Sequence, residues 1–355
     1  MSKHHENAPG GEPGPSQLYD LASLAKTLVT APLALKHLDL ELDRREQLDL
    51  GEFVDSLPVT VGQLLSHSAG LPPWLPYAAA VGPQLQMVER EGWNHALLRK
   101  GVRGTSIYSD VSFRLVNDLL EMELDEGGSL YTPGGLFLHP WLEDSLALLP
   151  SQMPPGPDID AWSVAALHGL TDLAFPESHT SLPHDGNARA GMRGHAGYAA
   201  TARGFASVLR EWVDGGWPVK QAQNIAANPD GIVYGYGLHH AQPLYAAVLS
   251  KVTRGVSGVV VGSLVEEENF ADLHHNHQLS VEALGVCPEW WMHTGFTGCV
   301  LMVRPASRLV IGLVCNRLAS DGSLLDLEGI TSRRLELLAA TLARHTTLQE
   351  TMTTT

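Results

Sequence analysis

The sequence predicts an α+β fold in which helices cover a central antiparallel sheet, as in an α/β/α sandwich. Leu and Ala recur at near-helical spacing from Leu21 to Leu38, and residues 74–183 alternate helical patterns with Pro/Gly-rich turns. Runs of β-branched residues typical of strands come only later. Such segregation favours a layered fold, with residues 74–183 as a mainly helical inserted subdomain.

The individual elements follow from the same patterns. Pro32 is expected to bend or end the first helix, because its ring removes a backbone donor. Further helices are predicted from Thr60 to Ser66, Val111 to Leu124, Thr201 to Trp212 and Thr331 to Arg344. Strands are predicted from Ala246 to Val252, Gly258 to Val265, Gly298 to Val303 and Leu309 to Cys315, the last two forming a hairpin. We expect a folded domain over 18–345, between a flexible leader at 1–17 and a flexible tail at 346–355.

The balance of charge argues against nucleic acid as a partner. The chain has 39 acidic and 23 basic residues, a formal net charge of −16, whereas binding to phosphates needs clustered Lys and Arg. The acidic residues are scattered, as on a well-solvated surface. With 44% hydrophobic residues, the chain has the composition of a globular protein with a substantial core.

The N-terminal residues bear on location. Met1 to Gln17 are polar, rich in Gly and Pro, and lack the apolar core of a secretory signal. No apolar stretch approaches the roughly 20 residues that span a bilayer. As written, the sequence predicts a cytoplasmic protein without a membrane role. A periplasmic or extracellular location is the alternative if the N-terminus is truncated.

Metal and cofactor sites find little support in the sequence. Cys287, Cys299 and Cys315 include no C-x-x-C pair and are expected to be buried thiols. The cluster His274-His275-Asn276-His277 could ligate a metal, but it has no acidic or cysteine partner at a recognised spacing, which favours a solvated loop. No phosphate-binding glycine loop or dinucleotide fingerprint occurs. We therefore expect neither a cofactor nor a metal.

Ser23-Leu24-Ala25-Lys26 is the first candidate for catalysis. A helix places positions i and i+3 on one face, which brings the Lys26 amine within reach of the Ser23 hydroxyl. Burial in an apolar helix lowers the pKa of a lysine, and a neutral lysine can remove the proton that serine must lose to become a nucleophile. The alternative is a helix residue beside a surface lysine.

The second candidate is Tyr108-Ser109-Asp110, directly before the helical pattern that begins at Val111. A tyrosine fixed at a helix entrance could shuttle a proton to a leaving group. In isolation the segment is better explained by helix capping, with Ser109 or Asp110 as N-cap and Tyr108 as a hydrophobic anchor.

The third candidate is the segment His293-Thr294-Gly295-Phe296-Thr297-Gly298, which leads into a predicted strand. Glycines beside an edge strand let a substrate backbone approach closely, and free N–H groups there can hold an oxyanion. Taken alone, the segment could be only a glycine-rich turn.

The order of these three segments resembles that of serine β-lactamases, DD-peptidases and related esterases. The similarity to the class C-related branch of this superfamily extends from Asp20 to Arg317. It is carried by Asp20 to Thr27, Leu64 to Pro72, His184 to Ala188 with Gly194 to Gly197, and the His293 segment with Asn316-Arg317. The resemblance to the serine β-lactamase and penicillin-binding-protein-like superfamily implies a β-lactamase-like α/β/α sandwich, with the active site between the sandwich and the inserted subdomain.

The resemblance also implies catalytic roles. Ser23 would attack a carbonyl, Lys26 would accept its proton, and Tyr108 would relay protons to the leaving group. An acyl-enzyme would then form. His184 and His195 would buttress the wall of the site, by structural hydrogen bonding rather than by proton transfer.

For the substrate, the resemblance implies a binding edge formed by Thr294, Gly295 and Phe296. The backbone N–H groups of Ser23 and Phe296 would form the oxyanion hole. Since Ser23 stands at the N-terminal end of its helix, the helix dipole also favours negative charge there.

Two substitutions within the motifs bear on activity. His293 replaces the lysine that usually binds a substrate carboxylate, and histidine is mostly neutral at pH 7. Chains with His-Thr-Gly are commonly grouped with esterases, D-amino-acid peptidases and muropeptide amidases, so strong β-lactamase activity is not expected. The resemblance implies that Asp110, where the family has Asn or sometimes Asp, orients Lys26 and substrate. Its charge would raise the pKa of Lys26 and make it a poorer base unless the carboxylate points elsewhere. Tyr108 would then share the role of base.

The segment before Ser23 is shorter than the resemblance implies. The superfamily normally has a helix and two strands before the serine motif, whereas Ser23 follows only 22 residues here. Part of the central sheet is then missing, or the start codon is assigned too late. A third possibility is that the strand-like segment from Ala246 to Val265 replaces the absent hairpin.

The sequence thus predicts a serine hydrolase that cleaves an ester or amide through an acyl-enzyme on Ser23. Esterase, D-peptidase and muropeptide amidase are the leading types, and the expected partner is a small-molecule or peptide substrate. The alternative is a catalytically silent protein that binds a peptide or partner protein in the same cleft, which the residues at Asp110 and His293 favour. The oligomeric state is left open.

Overall fold

The structure is a computed structural model that describes part of the chain. The described residues are 19–48, 50, 58–74, 105–125, 131–132, 136–137, 147–148, 185–189, 194–242, 245, 259–263, 289–315, 317 and 325–353. Several predicted features lie outside them, namely the leader 1–17, most of the inserted subdomain 74–183, His184, the strand predicted from Ala246 to Val252, the cluster 274–277, Cys287 and Asn316.

Short strands and longer helices alternate along the described chain. The strands are β1 Tyr19–Asp20, β2 Tyr131–Thr132, β3 Leu136–Phe137, β4 Ala147–Leu148, β5 Tyr198–Ala200, β6 Ala226–Ala227, β7 Val233–Tyr234, β8 His239–His240, β9 Val259–Ser263, β10 Trp291–Thr294, β11 Val300–Arg304 and β12 Leu309–Val314. The α-helices are α1 Ala31–His37, α2 Val61–Leu65, α3 Asp110–Asp125, α4 Gly186–Arg189, α5 Ala202–Asp214, α6 Trp217–Gln221 and α7 Leu327–Thr353. A π-helix, Lys26–Thr30, directly precedes α1.

A seven-stranded sheet forms the centre of the fold, in the spatial order β6-β7-β8-β10-β11-β12-β9. Neighbouring strands are antiparallel except for β9, which pairs parallel with β12. The prediction of a central, mostly antiparallel sheet is therefore confirmed. The predicted hairpin is β11–β12, and β9 lies within the strand predicted from Gly258 to Val265.

Side chains of β11 alternate between two hydrophobic cores, one on each face of the sheet. Leu301 and Val303 belong to the core that contains the helices of the N-terminal half and α5. Val300 and Met302 belong to the second core, which contains the buried side of α7. This period-two alternation is what a strand covered on both faces requires. The layers are thus helix, sheet and helix.

The first helix differs from its prediction in one respect. It runs past Pro32 to His37, so the proline does not end it. Pro32 lies where π-helical hydrogen bonding changes to α-helical, and the Ala31 N–H donates to the Lys26 carbonyl across the longer π-type loop. A residue without an N–H is tolerated at such a transition because it stands in the first turn of α1.

Caps fix the ends of two predicted helices. The Thr60 hydroxyl accepts from the Gln63 N–H while the Gln63 side chain accepts from the Thr60 N–H, which forms a capping box on α2. The Thr201 hydroxyl accepts from the Gly204 N–H at the start of α5. Both threonines therefore act as the predicted N-caps.

The C-terminal helix α7 begins before the predicted Thr331 and continues into 346–353, part of the segment expected to be a tail. Within the described residues, no helix combines the length and apolarity needed to cross a membrane.

Gly194 locks the segment 194–197 against α3. Its φ is +95°, and a Cβ there would lie 2.3 Å from the Phe113 carbonyl oxygen and 2.8 Å from the Asn117 Cβ. Since both neighbours belong to α3, the contact can be relieved only by moving the helix or the segment. Glycine is therefore required for this close approach.

We predict that Gly194→Ala lowers the free energy of unfolding by about 2–4 kcal/mol, because a left-handed residue and an overpacked contact act together. Gly231→Ala is the matched control. Gly231 also has a positive φ, +80°, but no atom lies within 4 Å of its Cβ position. It should lose only about 1 kcal/mol. Equal losses in urea unfolding of the two variants would contradict the packing argument.

Candidate active site

Ser23 lies in a tight turn between β1 and the π-helix. The residue before it, Ala22, has a φ of +50°, in the left-handed region that non-glycine residues rarely adopt. The Asp20 carboxylate holds this conformation by accepting from the Ala22 N–H at 2.8 Å. Backbone strain of this kind persists where the surroundings enforce it and is common at functional sites.

Lys26 is fully buried one turn further on, at 0% exposure. Its Nζ donates to Ser23 Oγ at 2.8 Å and to the His195 carbonyl at 3.1 Å, and lies 2.7 Å from Asp110 Oδ1. The structure thus brings together the serine and lysine that the i and i+3 spacing placed on one face. It also shows that the Asp110 carboxylate points at Lys26.

Opposing effects act on the pKa of Lys26. Burial lowers the pKa, but the negative charge of Asp110, followed by the interaction with Tyr108, more than offsets it, so the pKa is raised above its ordinary value. The expectation that burial in an apolar helix would lower this pKa is wrong, whereas the expectation that the Asp110 charge raises it is confirmed, because the carboxylate points at Lys26. Lys26 is therefore an ammonium in the resting site at neutral pH.

Tyr108 lies beside both groups. Lys26 Nζ lies 5.0 Å from the centre of the Tyr108 ring. Burial raises the pKa of Tyr108, and the charge of Lys26 opposes that shift only in part. The phenol is therefore protonated and can donate a hydrogen bond.

The capping explanation of the Tyr108 segment also holds. Ser109 Oγ accepts from the Ser112 N–H at 3.1 Å, which caps α3, and donates to the Pro72 carbonyl at 2.6 Å. Ser109 thereby fixes the start of α3, with Tyr108 before it and Asp110 as its first residue. This single cap therefore positions both Tyr108 and Asp110 beside Lys26.

His293 lies on β10 and is 2% exposed. Its Nδ1 lies 3.1 Å from the Thr294 carbonyl oxygen, which makes Nδ1 the donor, while its buried Nε2 has no hydrogen-bond partner among the described residues. Burial lowers the pKa of His293 well below its ordinary value, and the charge of Lys26 lowers it further. His293 is therefore neutral, and Nε2 is an acceptor.

Three further rings line the site beside Tyr108 and His293. The His67 ring lies 4.7 Å from that of Tyr108, the Tyr234 ring 5.5 Å from His67, and the His239 ring 6.1 Å from His293. Burial lowers the pKa of His67 and of His239, so this wall carries no charge at neutral pH. His67 lies in a segment whose sequence resembles the superfamily, but no role was predicted for it. Tyr234 and His239 were not singled out from the sequence, because the strands that carry them are too short to show a period-two pattern.

The turn from Gly295 to Gly298 packs directly on the turn that holds Ser23. The Thr297 hydroxyl donates to the Asp20 carbonyl at 2.6 Å. A Cβ at Gly295 would lie 2.7 Å from the Leu21 carbonyl oxygen, so only glycine permits this contact. Phe296, between them in the chain, is 38% exposed. The two turns predicted to supply oxyanion donors are therefore adjacent.

The segment 194–197 supplies the third acceptor of Lys26. Asp185 Oδ1 lies 2.8 Å from His195 Nε2 and also accepts from the Ala188 N–H at 2.8 Å. The Thr30 hydroxyl donates to the Gly194 carbonyl at 2.6 Å, one residue before the carbonyl that binds Lys26. This network supports the buttressing role that the resemblance implied for His195.

Three of these side chains could together hold a metal ion. The candidate ligand atoms of Asp110, Asp185 and His195 all lie within 4.8 Å of one another. The ammonium of Lys26, however, already pairs with Asp110. A divalent ion there would be repelled by this positive charge. The ammonium of Lys26 therefore takes the place that a metal cation would occupy.

The neutral wall makes stability depend on pH. His67, His239 and His293 have folded pKa values below the ordinary value of 6.5, so the unfolded state binds more protons below about pH 6.5. The contribution of these neutral histidines to the free energy of unfolding is present above that pH and is lost as the pH falls. We predict that the free energy of unfolding in urea decreases from pH 7.5 to pH 5.5, and that it decreases less in His293→Gln. Equal slopes in the two proteins would contradict this.

The structure is similar to several solved structures. A β-lactamase from Sulfitobacter sp. EE-36 aligns with a TM-score of 0.50 at 15% identity over 93% of this chain and 85% of that one. The penicillin-binding protein homologue from Pyrococcus abyssi aligns with 0.48 at 15% over 90% of this chain, which spans 66% of the homologue, just under two thirds. Simvastatin synthase from Aspergillus terreus aligns with 0.47 at 13% over 92% of this chain and 84% of that one.

Neither protein-family models nor curated proteins match the sequence. The conclusion about architecture rests on the first of the three alignments, and at 15% identity it concerns the fold alone. The chain has an α/β/α fold like that of the β-lactamase from Sulfitobacter sp. EE-36.

Proposed function

We propose that the protein is a serine hydrolase that cleaves an ester or amide through an acyl-enzyme on Ser23. One observation carries the proposal. Lys26 Nζ lies 2.8 Å from Ser23 Oγ in a fully buried position and 5.0 Å from the centre of the Tyr108 ring. A buried lysine beside a serine hydroxyl, with a phenol in reach of each, is an arrangement suited to moving a proton from the serine.

The reaction would proceed by acyl transfer. In the form of the site in which Lys26 is a neutral amine, Ser23 Oγ forms a bond to the substrate carbonyl carbon as its proton passes to Lys26 Nζ. The oxyanion is held by the N–H groups of Ser23 and Phe296. Tyr108 then returns the proton to the leaving oxygen or nitrogen as its bond to carbon breaks. Water repeats the sequence on the acyl-enzyme and releases the acid.

The substrate class follows from the neutral wall. The place of a carboxylate-binding lysine is taken by His293, which is neutral and offers an acceptor at Nε2. An anionic group at that position would meet no positive charge on His293. We therefore favour esters or amides that present a neutral donor or an apolar group to His293, and esterase action over β-lactamase action.

The nucleophile can be tested by intact-mass spectrometry after treatment with a fluorophosphonate and, separately, with a penicillin. We expect a single fluorophosphonate adduct on the natural protein and none on Ser23→Ala. Little or no penicillin adduct is expected, because His293 carries no charge. Adducts at a residue other than Ser23 would refute the assignment of the nucleophile.

The second candidate function is binding without catalysis in the same cleft. It is favoured by the raised pKa of Lys26, which keeps the base protonated at neutral pH. Absence of any adduct from a folded protein between pH 7 and pH 9.5 would establish this alternative and end the hydrolase proposal.

The role of Asp110 gives a prediction with a defined sign. Since the Asp110 charge raises the pKa of Lys26, the neutral amine forms only on the alkaline side, and labelling of Ser23 should accelerate as pH rises. Asp110→Asn removes the charge and keeps the shape. In this variant the acidic limb of the pH–rate profile for labelling of Ser23 should lie at lower pH than in the natural protein. Asp118→Asn, on the same helix but paired with Arg114, should leave the profile unchanged. A limb that stays in place in Asp110→Asn would contradict the assignment.

A further inference from the structure

Arg334 lies on α7, behind the Gly295–Gly298 turn, and is 7% exposed. Its Nη2 donates to the Gly295 carbonyl at 2.6 Å and its Nε donates to the Gly298 carbonyl at 2.7 Å. A buried guanidinium thus holds both ends of the turn. Nothing in the motifs of the sequence indicated this residue, which stands more than thirty positions after the turn in the chain.

One peptide group connects this contact to the reaction. The Gly295 carbonyl and the Phe296 N–H belong to the same planar unit, in which they point in opposite directions. A donor that fixes the carbonyl therefore also fixes the direction of the N–H. The hydrogen bond is charge-assisted, and such a bond polarises the peptide so that its N–H becomes a stronger donor.

We infer that Arg334 is the positioning residue of the oxyanion hole. It aims and polarises the Phe296 N–H by holding the Gly295 carbonyl. The inference rests on the proposed serine hydrolase function and extends it to a residue that touches neither substrate nor nucleophile.

The packing of the turn supports this inference. On its other side the turn contacts the Ser23 turn, where a Cβ at Gly295 would lie 2.7 Å from the Leu21 carbonyl. The Gly295 N–H also donates to the Cys299 carbonyl at 2.7 Å. With the turn held between Arg334 and the nucleophile turn, the Phe296 N–H has little freedom to reorient. Preorganised donors of this kind need no rearrangement as negative charge develops.

The charge of Arg334 acts in the same direction. In the described part of the chain its hydrogen-bond partners are neutral, namely the carbonyls of Gly295 and Gly298. Its positive charge is therefore not cancelled by a contacting carboxylate there. A buried cation behind the turn favours negative charge on the substrate oxygen in front of it.

The test compares Arg334→Met and Arg334→Lys with the natural protein, using p-nitrophenyl butyrate as substrate and phenylboronic acid as an analogue of the tetrahedral state. For Arg334→Met we expect kcat to fall about 10- to 100-fold, with KM changed by less than about threefold, because the donor acts on the transition state. The boronic acid should bind more weakly by a similar factor. Arg334→Lys, which keeps the charge and one donor, should recover part of the loss.

Arg333→Met is the matched control, since Arg333 is the neighbour of Arg334 on α7 and makes no hydrogen bond to Gly295 or Gly298. It should stay within about twofold of the natural kcat. Values of kcat and boronic acid affinity within threefold of natural for a folded Arg334→Met would overturn the inference. A merely structural role would lower the melting temperature without this selective loss of kcat.

Failure of the proposed function is separable from failure of this inference. If the natural protein reacts with neither ester nor boronic acid, the hydrolase proposal falls. Hydrogen–deuterium exchange over 293–299 then still reports on the turn. Faster exchange in Arg334→Lys than in Arg333→Met would support the holding role, and equal exchange would overturn it.

Discussion

A buried ammonium organises the candidate site. Lys26 Nζ has its three oxygen partners on three separate parts of the chain, the Ser23 turn, the first residue of α3 and the segment 194–197. A buried charge is tolerated only when it is paired and hydrogen-bonded. Each of these parts is therefore constrained to the position that satisfies Lys26, and the cleft takes its shape around that requirement.

The need to satisfy the buried Lys26 ammonium also explains the contacts that hold its partners in place. Gly194 must approach α3 closely so that the next carbonyl reaches Lys26, and the Asp185–His195 pair fixes that carbonyl from behind. On the other side of Ser23, Arg334 holds the Gly295–Gly298 turn. Two buried cations thus flank Ser23, one beside its hydroxyl and one behind the turn that faces it.

Between these cations the wall of the site is neutral. Burial and the charge of Lys26 both oppose protonation of His67 and His293, and the two effects act in the same direction. Among the described residues, the positive charges near Ser23 are those of Lys26 and Arg334, with Arg317 4.5 Å from the centre of the Phe296 ring. Such an arrangement favours the development of one negative charge at the reacting oxygen over the binding of an anionic substrate.

The sequence itself determined the local features of the fold and of the site. The i and i+3 spacing placed Lys26 beside Ser23, the threonine caps marked α2 and α5, and the hairpin β11–β12 followed from β-branched alternation. These features depend on neighbours a few positions away, so local patterns contain them. Strands of two or three residues, such as β1, β5 and β8, gave no signal because a period needs more positions than they contain.

Only the tertiary structure decided the electrostatics. The raised pKa of Lys26 comes from Asp110, and the hold on the turn comes from Arg334, two residues that meet the site from distant parts of the chain. Burial and charge depend on distances in space, which no spacing along the sequence encodes. The sequence determined which chemical groups the site contains; the folding of α3 and α7 against them decided which of those groups carry charge and where they point.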